Sequence, residues 1–187
     1  MSDAARGFRE AFTLRGGRDA VVRAIRPDDR DRLQAAFHAL EPESVYLRYF
    51  SFKNELTEAD LDRLCAPDFH ERVVLVVTLP GDAGAEIIVG AGGYVMLPGV
   101  AAARAAEVAF AVEEDVQGQG ISGKLLDVLT DLARIDGIER FDAEVLSRNL
   151  PMLRVFARSG LPMTVSPEED GVVHVQMTLA PLAPTAP

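Results

Sequence analysis

The chain has 187 residues, 48% of them hydrophobic, with a single cysteine and a formal net charge of −10. That length suits one domain with a full core, and the composition excludes a disordered chain. The acidic balance argues against nucleic acid or an anionic membrane as the main partner, and one cysteine excludes an internal disulfide or a cysteine zinc site.

No apolar run reaches membrane-spanning length. Met1 to Ala20 carries Arg6, Arg9, Arg15 and Arg18 but no apolar stretch, so it does not read as a secretory leader, and a cytoplasmic location is expected. Residues 1–19 are expected to form a flexible arm, with Phe8 and Phe12 available to dock. Ala20–Ile25 reads as a short strand, after which Pro27 and Asp28 open a helix with Leu33, Ala36, Phe37 and Leu40 at helical spacing. Glu43–Phe52 is rich in aromatics and reads as a second helix, with Val45, Leu47, Tyr49 and Phe50 available to line a cleft. Thr57 caps a third helix ending near Cys65, and that cysteine reads as a small buried hydrophobe.

Three strands follow, at Glu71–Leu79, Glu86–Leu97 and Ala105–Val112, in an expected antiparallel meander. The first is too apolar to alternate and should be buried on both faces. Gly90, Gly92 and Gly93 mark a bulge or a close approach in the second. Gly120–Ile135 is an amphipathic helix, Phe141–Leu146 a strand, and Asn149–Arg158 a helix with Pro151 in its first turn. Met163–Val165 and Gly171–Leu179 complete a hairpin, and Pro181–Pro187 reads as a disordered tail. The order is β-α-α-α-β-β-β-α-β-α-β-β. It places residues 20–180 in one α+β domain, with a mostly antiparallel sheet, helices on both faces and a parallel pair around the glycine helix.

The chemistry concentrates at V-E-E-D-V-Q-G-Q-G-I-S-G-K-L-L, residues 112–126. A strand, a glycine loop and a helix start make an anion site, because loop N–H groups converge and the helix N-terminus carries partial positive charge. Gly118-x-Gly120-x-x-Gly123 fits a dinucleotide fingerprint, yet Glu113 to Gln117 intervene after the strand and the chain lacks alternating strands and helices around the loop. Gly118 to Lys124 fits a nucleotide P-loop until Leu125, where Ser or Thr must ligate magnesium. A ligand-free strand-to-helix turn is the plain alternative.

Gln117-x-x-Gly120-x-Ser122 resembles the pyrophosphate loop (Q/R)-x-x-G-x-(G/A) of the GNAT superfamily of acyl-CoA-dependent N-acyltransferases, with Ser in the last position. E-V-A-F-A-V resembles the family's fourth strand, which splays from the fifth. Asn149-x-x-Met152-Leu153-x-x-Phe156-x-x-x-Gly160 resembles its second cofactor motif. More narrowly, R-A-I-R-P-D-D, E-S-V-Y-L-R-Y-F-S, E-V-A-F and R-N-x-P-M-L resemble the catalytic domain of bacterial protein lysine acetyltransferases.

This resemblance implies a GNAT-like fold with a splayed central pair, and acetyl-CoA as co-substrate. It implies that the backbone of Gln117, Gly118, Gln119, Gly120, Ile121, Ser122 and Gly123 holds the pyrophosphate. Phe110, Ala111 and Val112 would pair with pantetheine, one N–H there would polarise the thioester, and Asn149, with Met152 and Phe156 in the same motif, would meet the pantetheine arm. Glu107 would take the proton of the attacking amine, since an ammonium near pKa 10.4 must lose one before it attacks. Phe156 stands where many members carry a proton-donating Tyr, so water would serve the leaving thiolate. His38, His70, His174 and Cys65 show no ligand spacing, and no metal is expected. The expected acceptor is a protein lysine. The alternatives are a small amine or amino acid, a CoA-binding sensor of little activity, and a nucleotide-binding oxidoreductase.

Overall fold

A computed structural model describes residues 4–49, 53–98 and 104–179. One eight-stranded sheet organises them, built from β1 (Arg9–Thr13), β2 (Asp19–Ala24), β3 (Arg72–Pro80), β4 (Glu86–Met96), β5 (Ala105–Val112), β6 (Arg140–Leu146), β7 (Met163–Val165) and β8 (Val172–Thr178). The spatial order is β1-β2-β3-β4-β5-β6-β8-β7. Only β5 and β6 run parallel; every other neighbouring pair is antiparallel. Five α-helices lie among the described residues: α1 (Arg30–Ala39), α2 (Pro42–Tyr49), α3 (Glu58–Cys65), α4 (Ile121–Ile135) and α5 (Leu150–Ala157). This is the expected α+β architecture.

The expected arm is corrected in part. Arg9–Thr13 pairs along its whole length with Asp19–Arg23, so β1 is an edge strand of the sheet. Its sequence hides this because an edge strand is paired on one side only, and all of R-E-A-F-T but Phe12 is exposed. Phe12 docks beside the Lys124 ammonium of α4, 5.9 Å from the ring centre, and Lys124 also pairs with Glu10 at 2.6 Å. Phe50 and the tail from Pro181 lie outside the described residues.

β3 is buried along seven consecutive residues, as its unbroken apolar run implies. The glycines of β4 are close approaches. A Cβ on Gly92 would lie 2.6 Å from Phe110 Cδ1, and one on Gly93 would collide with the Val73 carbonyl. A bulge sits beside them, where the β3–β4 register shifts between Val77 and Thr78. Gly90 and Gly92 of β4 face α4, for a Cβ on Gly90 would meet Ile121 and one on Gly92 Leu125. Glu107, Ala109 and Ala111 of β5 face the other way and share a cavity with Leu33 and Phe37 of α1. Helices therefore cover both faces.

Thr57 caps α3 as expected, in a reciprocal box with Asp60. Asp28 is not the cap of α1: the N-cap position is Asp29, whose side chain makes no cap bond to the helix and instead accepts from the Arg26 N–H at 2.8 Å, across the short turn Pro27–Asp29. Asp29 is fully buried, and the Arg23 guanidinium of β2 grips it with two bonds of 2.7 and 2.8 Å. Arg23 also reaches Glu86 of β4 at 2.7 Å. Burial pushes the Asp29 carboxyl up, but Arg23, the Arg26 N–H and Arg32 together outweigh it and hold the group below the usual carboxylate range.

Asp29→Ala leaves Arg23 buried and half-paired, and the expected loss is about 3–5 kcal/mol in urea unfolding at pH 7. A carboxyl with a lowered folded pKa stabilises the fold above the unfolded value, roughly 3.9, and that contribution fades as pH falls through the folded value. The gap between wild type and variant should therefore narrow below about pH 4. A loss under about 1 kcal/mol at pH 7 would show that the pair is dispensable.

Candidate active site

β5 and β6 pair only over Ala105–Glu107 and Arg140–Asp142. Beyond Glu107 β5 continues for five residues to Val112 with no partner on that side. The gap is held open from one face by aromatic packing: the Phe110 ring rests where Gly92 has no Cβ and lies 6.1 Å from the Phe156 ring of α5. Backbone amides and carbonyls of β5 are thus left facing a cleft.

The cleft leads into a cavity of about 440 Å³. Its wall includes Phe110, Ala111, Val112, Gln117, Gly118, Gly120, Ile121, Ser122, Gly123, Asn149 and Met152, most of the predicted binding set. Gly118 and Gly120 adopt φ of 73° and 97°, a region where L side chains are strained. Gly120 ends in that conformation as the N-cap of α4, and no side chain caps the helix. No acceptor among the described residues meets the N–H groups of Gly118, Gly120, Ile121, Ser122 or Gly123. The first turn of α4 holds no acidic residue. Unsatisfied donors at a helix start, with no Cβ at Gly118 or Gly120, fit a diphosphate.

Four predicted residues are engaged by the protein itself. Phe156 is 1% exposed and packs against Phe110, off the cavity wall. Gln119 turns away from the cavity: its side chain accepts from the Gly16 N–H at 2.6 Å, and its carbonyl accepts from the Arg15 N–H at 3.1 Å. Asn149 caps α5 by accepting from the Met152 N–H at 3.2 Å, so that carbonyl is engaged and its amide group is what remains for a ligand. Gln117 donates to the Val112 carbonyl at 3.0 Å and so holds the end of β5 against the loop.

Arg15 was missed by sequence reasoning. It lies in the β1–β2 turn, lines the cavity, and its guanidinium donates to the Gly118 carbonyl at 3.4 Å. The signal was present as a glycine-flanked Arg, L-R-G-G-R, but only the pairing of β1 brings it to the loop. Arg154 of α5 and Arg158 at its C-cap add positive charge to the same wall. α2 covers the cavity with Ser44, Leu47 and Arg48; its Val45 turns into the core.

Glu107 opens on a second cavity, of about 250 Å³, on the opposite face of β5. Its carboxylate is exposed, one strand position across from Asp142, which Arg140 neutralises with bonds of 2.7 and 2.9 Å. Glu113, also unflagged by the sequence, lies on the same wall. Burial, then Asp115 and Glu114, push its carboxyl above the usual range. The two cavities share Ala111 and Arg48. A ligand gripped at the glycine loop and an amine held at Glu107 would meet there.

Cys65 is 2% exposed, and burial pushes its thiol up, consistent with a packing role. No group of three or more metal-ligating side chains stands together among the described residues. No helix among them is long and apolar enough to cross a membrane.

The fold recurs in known proteins. The acetyltransferase Pat of Mycolicibacterium smegmatis is 32% identical over 170 residues, 90% of this chain. The chain spans 48% of the length of that protein. The GNAT domain of S. lividans PAT superposes with a TM-score of 0.81 at 35% identity, covering 91% of this chain and 97% of that one. The fold of yncA from Salmonella typhimurium, solved with its cofactor acetyl-CoA, matches with a TM-score of 0.66 at 20% identity, covering 88% and 96%. The model of the acetyltransferase (GNAT) family matches residues 34–161, from α1 through the glycine loop to the end of α5. By that match and by its likeness to Pat, this chain belongs to the acetyltransferase (GNAT) family.

Proposed function

We propose that the protein is an acetyl-CoA-dependent N-acetyltransferase that acts by direct transfer to a protein lysine. The observation that carries this is the meeting of two cavities at Ala111, with free backbone donors on one side and the Glu107 carboxylate on the other. Similarity to the Mycolicibacterium Pat and to the S. lividans PAT domain supports the lysine acceptor.

Acetyl-CoA supplies an acyl thioester. In this reading the amides of Gly118, Gly120, Ile121 and Ser122 receive the diphosphate, and Arg15 stands beside them as a counter-charge. The open side of β5 at Phe110 and Ala111 pairs with the pantetheine amides and offers a donor to the carbonyl oxygen. The amine nitrogen forms its bond to the carbonyl carbon and the carbon–sulfur bond breaks. Glu107 takes the proton that the nitrogen sheds, directly or through water, and the thiolate leaves to solvent. Binding both reactants at one junction removes most of the entropic cost of their encounter.

Two outcomes check the assignment. Glu107→Gln keeps the size of the side chain and removes its basicity, so kcat should fall by about 10² to 10⁴ while the Kd for acetyl-CoA stays within twofold. An unchanged kcat with lysine-bearing substrates would remove Glu107 from the chemistry. Arg15→Ala should raise the Kd for acetyl-CoA roughly tenfold with kcat nearly unchanged, as expected for one charge-assisted contact. Transfer to free amino acids or small amines but to no protein lysine would replace the acceptor and leave the donor site standing.

A further inference from the structure

The sulfur side of a thioester needs a partner as much as the amine side does. When the carbon–sulfur bond breaks, the electron pair stays on sulfur, and a thiolate forms where the two cavities meet. Phe156 lies off the cavity wall and has no proton to give. Among the described residues the wall beside the glycine loop holds no Tyr, His, Lys or Cys. Its cations Arg15, Arg154 and Arg158 come from the β1–β2 turn and from α5 with its C-cap, and Asp127 of α4 has the wrong sign for an anion. On the other side Glu107 and Glu113 would repel a thiolate, and Arg72 lines that cavity alone.

Arg48, in the last turn of α2, is placed differently. Among the described residues it is the one charged side chain that lines both cavities, as Ala111 does. It is half-buried, and no carboxylate among those residues pairs with it. Its guanidinium carbon lies 4.9 Å from the centre of the Tyr49 ring, and that ring stands edge-on to the buried Phe37 of α1 at 5.9 Å. Stacking on an aromatic face orients a flat cation without neutralising it. Lys53, 5.5 Å from the same ring, is by contrast neutralised by Asp60 at 2.5 Å.

Resting on the acetyl-CoA reading above, we infer that Arg48 is a further catalytic residue whose guanidinium receives the leaving thiolate beside Ala111. The nitrogen–carbon bond forms, the carbon–sulfur bond breaks, and the electron pair goes to sulfur, where the guanidinium meets the new charge. Arg48 gives up no proton, since a guanidinium stays protonated in proteins. The amine proton goes separately to Glu107, and the thiolate takes a proton from water once it has left. A fixed cation aimed at the place where charge develops lowers the barrier without transferring anything. Charge at α2 thus does the work that a proton donor at position 156 would do.

The experiment is a pH titration of CoA bound to the intact chain, read by the ultraviolet absorbance of its thiolate between about pH 6 and 9. Cys65, the single cysteine, is buried with its thiol pushed up, so the signal in that window belongs to CoA. A cation within a few ångströms lowers a thiol pKa, and that of bound CoA should lie about one pH unit or more below that of free CoA. Arg48→Gln should abolish this drop and lower kcat about 10- to 100-fold, with the Kd for acetyl-CoA within threefold. Arg48→Lys restores the charge and should recover most of the drop. Tyr49→Phe keeps the ring under the guanidinium and should keep the drop too; its loss there would assign the effect to the phenol and overturn the role of Arg48. A bound thiol that titrates like free CoA, or alike in wild type and Arg48→Gln, would also overturn that role and leave the donor site standing. Failure of CoA itself to bind would overturn both.

Discussion

The structure depends on two parallel strands that part company after three residues. Ala105–Glu107 holds β5 to β6, and everything beyond is open. A strand edge left unpaired inside a sheet presents donors and acceptors that water or a ligand must satisfy. Here the edge is kept dry on one face by Phe110 against Phe156 and roofed on the other by α1 and α2. The opening therefore has two distinct sides. One is lined by amides and arginines, the other by aliphatic carbon with carboxylates at its rim.

The glycine loop depends on the sheet in turn. Gln117 bonds the end of β5, and α4 packs its buried face on β4, where Gly90 and Gly92 give it room. From the far side, the β1–β2 turn holds Gln119 by its side chain and its carbonyl. The loop is thus fixed at both flanks while the N–H groups of Gly118, Gly120, Ile121, Ser122 and Gly123 meet no acceptor among the described residues. A donor array aligned before its ligand arrives costs little reorganisation on binding.

Much of this was legible in the sequence because the signals were local. The run of β3, the period of α4, the box at Thr57 and the glycines of β4 each follow from a few adjacent residues. The motif around Gly120 marked the stretch of one cavity wall formed by Gln117, Gly118, Gly120, Ile121, Ser122 and Gly123. What the sequence hid were consequences of long-range pairing. Arg15 reaches Gly118 only because an exposed, barely patterned segment pairs as β1. Phe156 and Gln119 fall within motifs, but whether a motif side chain faces a ligand or the core is decided by the elements that cross it. Glu113 joins Glu107 because strand alternation puts positions two, four and six residues on along the same face.

The arrangement of the outermost strands also bears on how the molecule behaves in crowded solution. A sheet with free borders invites a second molecule to add its own strand there and seed fibrils. Here one border is β1, with Arg9 and Glu10 projecting opposite charges beside Thr13, and the other is β7, only three residues long. Neither offers a long flat apolar template, so an eight-stranded sheet with a deliberate gap at its centre is guarded at its margins against self-association.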